Sequence, residues 1–238
     1  MINAKFAICN ELTPCLGDKK MNPKIIVIGA SKGGLQALKT VLSALPAEFP
    51  LPVVIVQHRE KEADEALSQL LQKVSSLTVT EVEDKQPILP GQVFLAPGGY
   101  HLLIESDTLP PTLSPQPSFS SPITDYRSPD YLPFSPCHFA LSTAEPVKYS
   151  RPSVDVLFES AAEVYGEGVI GVILTGNNAD GAQGLAAVKQ AGGMTIVQEP
   201  RTAEADSMPK AAIAATEVDK ILPLEEIGPF LAKMGRED

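Results

Sequence analysis

The sequence predicts an α/β protein: a doubly wound, mainly parallel sheet in three α/β/α layers, Rossmann-like, with a small antiparallel hairpin at its edge. Three observations predict it. Short continuous β-branched runs such as Lys24-Ile25-Ile26-Val27-Ile28-Gly29 show no polar alternation, the mark of strands buried on both faces. Such runs take turns along the chain with segments of helical periodicity, the rhythm of βα units. Glycine-rich turns stand where strand gives way to helix, above all Gly29-Ala30-Ser31-Lys32-Gly33-Gly34.

Residues 1–22 read as a flexible tail, and residues 23–238 as one domain. Within it, the first strand is followed by a helix from Gly33 to Leu45, with Leu35, Leu38, Val41, Leu42 and Leu45 at helical spacing. Leu51 to Val56 is a second strand, and Lys61 to Val74 a second helix with Ala63, Leu67, Leu70 and Leu71 on one face. Leu77 to Val82, Gln92 to Ala96 and His101 to Ile104 are shorter strand candidates, set apart by Pro90-Gly91 and Pro97-Gly98 and expected as hairpins at a sheet edge. Seven prolines from Pro110 to Pro133, scattered among serines, exclude a ladder or a helix, so residues 106–135 are expected to form an irregular surface excursion. The α/β rhythm then resumes. Helices are expected from Val154 to Tyr165, Ala182 to Gln190 and Lys210 to Ala215, with strands at Gly168 to Leu174 and Met194 to Gln198.

Composition narrows the functional classes. A chain of 238 residues, 44% hydrophobic, can bury a full core, and its formal charge of -10 lacks the basic face that a nucleic-acid partner requires. Cys9, Cys15 and Cys137 form an odd set without disulfide or zinc spacing, and His, Cys and acidic residues show no ligand pattern, so no metal and no cofactor are expected. With no secretory segment and no apolar run near the roughly 18 residues of a membrane span, the expectation is a cytoplasmic protein without membrane insertion.

Ligands and reactive groups in open α/β sheets collect beyond the carboxyl ends of the strands. The first strand ends on Ser31, the second on His58, and the strand Gly168 to Leu174 runs into Thr175-Gly176-Asn177-Asn178-Ala179-Asp180-Gly181. A hydroxyl, an imidazole and a carboxylate therefore share one rim. Ser31 between Gly29 and Gly33 has the G-x-S-x-G form of a nucleophile elbow, and a following helix N-terminus favours developing negative charge. The competing reading is a dinucleotide fingerprint. It would need glycine at position 31 and an acid about twenty residues on, where this chain offers Gln57-His58. His58 could be a solvated strand-end residue or the general base for Ser31, and Asp180 a helix N-cap or the group that orients His58. The order Ser, His, Asp departs from that of the α/β-hydrolases.

The segments Ile28-Gly29-Ala30-Ser31-Lys32-Gly33-Gly34, Val56-Gln57-His58, Leu95-Ala96-Pro97-Gly98, Arg151-Pro152-Ser153-Val154-Asp155-Val156-Leu157-Phe158 and Leu174-Thr175-Gly176 with Asp180-Gly181 occur in the order found in one family. From about Lys24 to Leu224 the chain resembles the catalytic domain of the chemotaxis protein-glutamate methylesterases (CheB-type). The resemblance implies a serine esterase that hydrolyses methyl esters of chemoreceptor glutamates and, in many members, deamidates receptor glutamines. It carries the triad onto Ser31, His58 and Asp180, and an oxyanion-stabilising N–H onto the loop Gly176-Asn177. Lys32 and Asn177 depart from the threonine and methionine frequent there, which puts substrate contacts at those positions in question. They also motivate the alternative of a catalytically silent module that binds a receptor or signalling partner. Many members carry a receiver domain, whereas only a short tail precedes the first strand here, so the expectation is a stand-alone esterase controlled by a separate response regulator. Lys32, Arg59 and Arg151 read either as solvated charges or as a positive patch for an acidic receptor helix.

Overall fold

In the computed structural model, which describes residues 22–59, 66–106 and 137–235, the chain opens with β1 (Ile25–Ala30), α1 (Gly34–Ser43), β2 (Val53–Gln57), α2 (Ala66–Gln72), β3 (Thr78–Glu81) and β4 (Gln92–Leu95). Next come β5 (His101–Ser106) and β6 (Cys137–Ser142), then α3 (Val154–Tyr165), β7 (Val169–Ile173), α4 (Ala182–Gln190), β8 (Met194–Gln198), α5 (Ser207–Ala215), β9 (Lys220–Leu222) and α6 (Leu224–Met234). The expected tail and the proline-rich excursion fall almost wholly outside the described residues.

Seven strands form one parallel sheet in the order β3-β4-β2-β1-β7-β8-β9. Every residue of β1 and β7 is buried, as their unbroken apolar sequences require for strands covered on both faces. Two cores follow from the alternation of side chains along β1. Ile25 and Val27 face a cluster with Leu157, Phe158, Leu185, Val188 and Met208 of α3, α4 and α5. Ile26 and Ile28 face Leu38, Val41 and Leu42 of α1, Leu71 of α2, and Ile227 and Leu231 of α6. Helices on both faces make the sheet doubly wound, as expected.

The antiparallel unit differs from the expected arrangement. The segments around Thr78–Glu81 and Gln92–Leu95 do not make edge hairpins; β3 and β4 run parallel to each other within the main sheet. The antiparallel pair is a separate two-stranded sheet of β5 and β6, register His101↔Ser142 to Ser106↔Cys137, packed with α3 through Leu102, Ile104 and Phe139. A Pro-Gly turn read as a hairpin can equally end a crossover, and β6 lacks a run long enough to announce itself.

The strand order reverses at β1. From β1 the chain passes through α1 to β2 on one side, while β7 lies on the other side and continues outward to β8. The carboxyl ends of β1 and β7 therefore flank the switch point, where an open α/β sheet leaves a crevice.

Candidate active site

Ser31 follows β1 at this switch point. Its N–H donates to Thr175 O at 2.9 Å, and its own carbonyl accepts from Gly34 N–H at 2.9 Å as the chain turns into α1. The turn closes on Gly33, which caps α1 at φ 79°, a left-handed conformation that glycine adopts without a Cβ penalty. Gly176 presses against Ser31 from the end of β7. A Cβ there would run into the Met208 side chain and come within 2.9 Å of Ser31 Cβ, so only glycine lets the strand ends approach this closely.

His58 is brought beside Ser31 by register. Ala30 pairs with Gln57, and His58 N–H donates to Ala30 O at 3.0 Å, so the next residues along the two strands are neighbours. Gln57 ties them together. Its Nε2 donates to Ser31 O at 2.8 Å and to His58 O at 3.1 Å, a clamp on both strand ends.

Asp180 is buried, at 1% exposure, and its carboxylate is surrounded by donors. His58 Nε2 lies 2.7 Å from Oδ2, Ser153 Oγ donates to Oδ1 at 2.8 Å, Val154 N–H to Oδ2 at 2.7 Å and Asp155 N–H to Oδ1 at 3.2 Å. Those backbone groups are the first N–H groups of α3, so the carboxylate caps the helix from another segment and meets its positive dipole end. Asp180 is thus a cap and a histidine partner at once, but of α3; the helix that follows it, α4, is capped by Gly181 without a side-chain bond. Burial pushes the Asp180 carboxyl up. The hydrogen bonds from His58, Val154 and Ser153 outweigh it and hold the group below its ordinary value, ionised.

The other ring nitrogen of His58 is engaged as well. Asn178 Nδ2 lies 3.1 Å from Nδ1 and 3.3 Å from Ser150 Oγ. Among the described residues, no hydrogen bond joins Ser31 Oγ to His58.

A cleft of about 480 Å³ opens beside the histidine, lined by His58, Arg59, Gly99 and, from the strap that runs from Pro146 to Pro152, by Pro146, Tyr149, Ser150, Arg151 and Pro152. Ser31 is half-buried and lies outside that lining, whereas His58 is part of it. The strap is closed by paired backbone bonds between Val147 and Ser150, with Lys148 and Tyr149 at φ 47° and 67°. Lys148 Nζ anchors it to the buried Asp155 at 2.7 Å.

The remaining expected residues are placed as follows. Lys32 is exposed, and its carbonyl accepts from Thr175 Oγ1 at 2.8 Å. Gly176 N–H donates to Ala205 O at 2.9 Å, so it is not available to an oxyanion; Asn177, exposed in the same loop, and Lys32 keep backbone N–H groups without a partner among the described residues. Arg151 lines the cleft, with Nη1 donating to Thr143 O and Ala144 O. Arg59 is not a solvated charge: it lines the cleft together with Arg151, and its buried side chain pairs with Glu81 at 2.7 Å. Gln57, Ser153, Asn178 and the strap residue Ser150 are parts of the site for which spacing gives no signal, because their partners lie on other segments. Among the described residues no group of His, Cys, Asp and Glu is placed to hold a metal, and no helix is long and apolar enough to cross a membrane.

Comparison with known proteins completes the picture. The CheB methylesterase family pattern matches residues 26–231. A provisionally named protein-glutamate methylesterase/protein-glutamine glutaminase of Leptospira interrogans serovar copenhageni is 42% identical over 218 residues, covering 92% of this chain and 98% of the relative. The protein-glutamate methylesterase/protein-glutamine glutaminase 1 of Carboxydothermus hydrogenoformans is 39% identical over 213 residues, 90% of this chain. This chain spans 56% of the length of that relative and 53% of a Bordetella parapertussis counterpart. The crystal structure of the Thermotoga maritima CheB methylesterase catalytic domain superposes with a TM-score of 0.75 at 33% identity, over 90% of this chain and 99% of that one.

Proposed function

Because the chain belongs to the CheB methylesterase family, we propose that it is a serine hydrolase that removes methyl esters from glutamate side chains of chemoreceptors. Deamidation of receptor glutamines by the same groups, action in the cytoplasm and control by a separate response regulator belong to the same proposal. The observation that carries it is the His58–Asp180 pair at 2.7 Å, set at the end of the strand next to that of Ser31.

In this reading Ser31 Oγ attacks the ester carbonyl while His58 Nδ1 takes the hydroxyl proton. Asp180 holds the proton on Nε2 and stabilises the imidazolium. The tetrahedral oxyanion is met by the N–H groups of Asn177 and Lys32 at the mouth of the loop, donors of a kind whose loss costs about 10²–10³ in rate. Collapse breaks the bond to methoxide, which leaves as methanol with the proton from His58. A water molecule then gives one proton to His58, its oxygen attacks the acyl group, and glutamate and Ser31 are regenerated. With glutamine as substrate the leaving group is ammonia. No step calls for a metal or an organic cofactor.

A second reading, a catalytically silent module that binds a receptor or signalling partner, draws on the engagement of His58 Nδ1 by Asn178. A serine-directed fluorophosphonate separates the two. The esterase reading expects stoichiometric labelling of Ser31 that is lost in His58→Ala; a folded protein that takes up no label is the silent module.

A further inference from the structure

Resting on the assignment of Ser31, His58 and Asp180 as the reacting groups, we propose that Asn178 is a latch on the base. In the resting site its amide fills the ring nitrogen that Ser31 needs, and it turns aside before the hydroxyl is activated.

The proton positions follow from the contacts. Asp180 is an ionised carboxylate, an acceptor only, so the 2.7 Å contact to Nε2 requires the ring proton to be there. Neutral imidazole then has one lone pair left, on Nδ1, and that lone pair is the site of general-base action. The orientation of Asn178 is fixed independently of the histidine. Its Oδ1 accepts from Asp180 N–H at 3.2 Å, which turns Nδ2 toward the ring and Ser150. Nδ2 donates to Nδ1 at 3.1 Å and to Ser150 Oγ at 3.3 Å. An amide N–H cannot receive the serine proton, so the base is blocked while this bond stands.

The link to Ser150 connects the latch to substrate arrival. Ser150 ends the bridged turn that begins at Val147, and the same turn walls the cleft beside His58 with Tyr149 and Arg151. A chain segment seated in the cleft bears on the residue that shares the Asn178 amide. Asn178 is thus a positioning residue, acting through its contact with the base nitrogen of His58 and not on the substrate.

The test measures the rate at which a small fluorophosphonate labels Ser31 in wild type, Asn178→Ala, Asn178→Asp, His58→Ala and Ser31→Ala, each checked for folding by its melting transition. Loss of one neutral hydrogen bond of ordinary net strength corresponds to a rate change of roughly two- to tenfold. Asn178→Ala is expected to label faster by that factor. Asn178→Asp, which sets an acceptor against Nδ1 and so favours the doubly protonated ring, is expected to label more slowly than wild type. Asn178→Ala at or below the wild-type rate, or Asn178→Asp at or above it, overturns the latch. If His58→Ala labels as fast as wild type, the assignment of the base fails instead, and with it the latch. A measurement on the wild type covers the case of unfolded variants. The Asn178 side-chain N–H resonances are expected to shift when Ser31 is covalently labelled, and unchanged resonances overturn the proposal.

Discussion

Replacing Asp180 by asparagine separates its two roles, because the four donors around the carboxylate divide between its oxygens. His58 Nε2 and Val154 N–H meet Oδ2 at 2.7 Å each, while Ser153 Oγ and Asp155 N–H meet Oδ1 at 2.8 and 3.2 Å. Asparagine keeps one acceptor oxygen. With that oxygen toward His58 and Val154, the Ser153 hydroxyl can rotate to accept from the new amide, and only the longest contact, Asp155 N–H, is left unpaired. An unpaired buried N–H costs about 1–3 kcal/mol and loss of the negative charge at the α3 N-terminus about 0.3–2 kcal/mol, so the variant should be less stable by about 1–5 kcal/mol. Urea denaturation measures this. The difference has a defined pH dependence, since the Asp180 carboxyl is held below its ordinary value. Its contribution is complete above the unfolded aspartate range near 3.9 and is lost as pH falls through the lower folded value. The catalytic role predicts more: without a charge to stabilise the imidazolium, Ser31 labelling should fall by about 10²–10⁴ in a protein that still folds. A variant that loses the expected stability but labels within tenfold of wild type would show Asp180 to be a helix cap and nothing else.

Gly176→Ala places a methyl group against Met208 and 2.9 Å from Ser31 Cβ; it should destabilise by about 1–3 kcal/mol and slow Ser31 labelling at least tenfold, both measurable on one preparation. Gln57→Ala removes the clamp on the carbonyls of Ser31 and His58, with an expected loss of about 1–3 kcal/mol in stability and a slower labelling rate. Unchanged labelling would mean that the two strand ends need no bridge. Tyr149 is fully exposed at φ 67° on the strap, an unfavourable backbone for a bulky residue. If it contacts the protein substrate, Tyr149→Ala should raise KM for an esterified receptor about fivefold or more and leave a small ester unaffected; equal effects on both substrates would contradict that contact.

The parts of the fold that were legible share one property: their sequence pattern is local. β1 and β7 are unbroken apolar runs, and α3 and α4 occupy the spans that periodicity predicts, because each buries one stripe against a sheet already specified by its neighbours. α5 starts three residues before Lys210, where the helical periodicity in the sequence begins. The helix begins at Ser207 with Pro209 in its first turn, where the missing N–H would have no partner in any case. β9 is a three-residue edge strand with two exposed residues, and α6 contains Pro229, so neither carried a usable signal. Ser31, His58 and Asp180 could be nominated because strand ends are where a parallel sheet exposes function. The capping of α3 by Asp180 could not, since Ser153 and Val154 lie on a segment that only the tertiary fold brings there. The same holds for Asn178, two residues from Asp180 in the chain, whose meaning depends on which nitrogen of His58 it faces.

Methanol release from a methyl-esterified chemoreceptor, by wild type and by folded Ser31→Ala side by side, decides whether Ser31 is the nucleophile. Release by the wild type and none above the uncatalysed background from the variant is the expected result. Turnover by Ser31→Ala at the wild-type rate would contradict it.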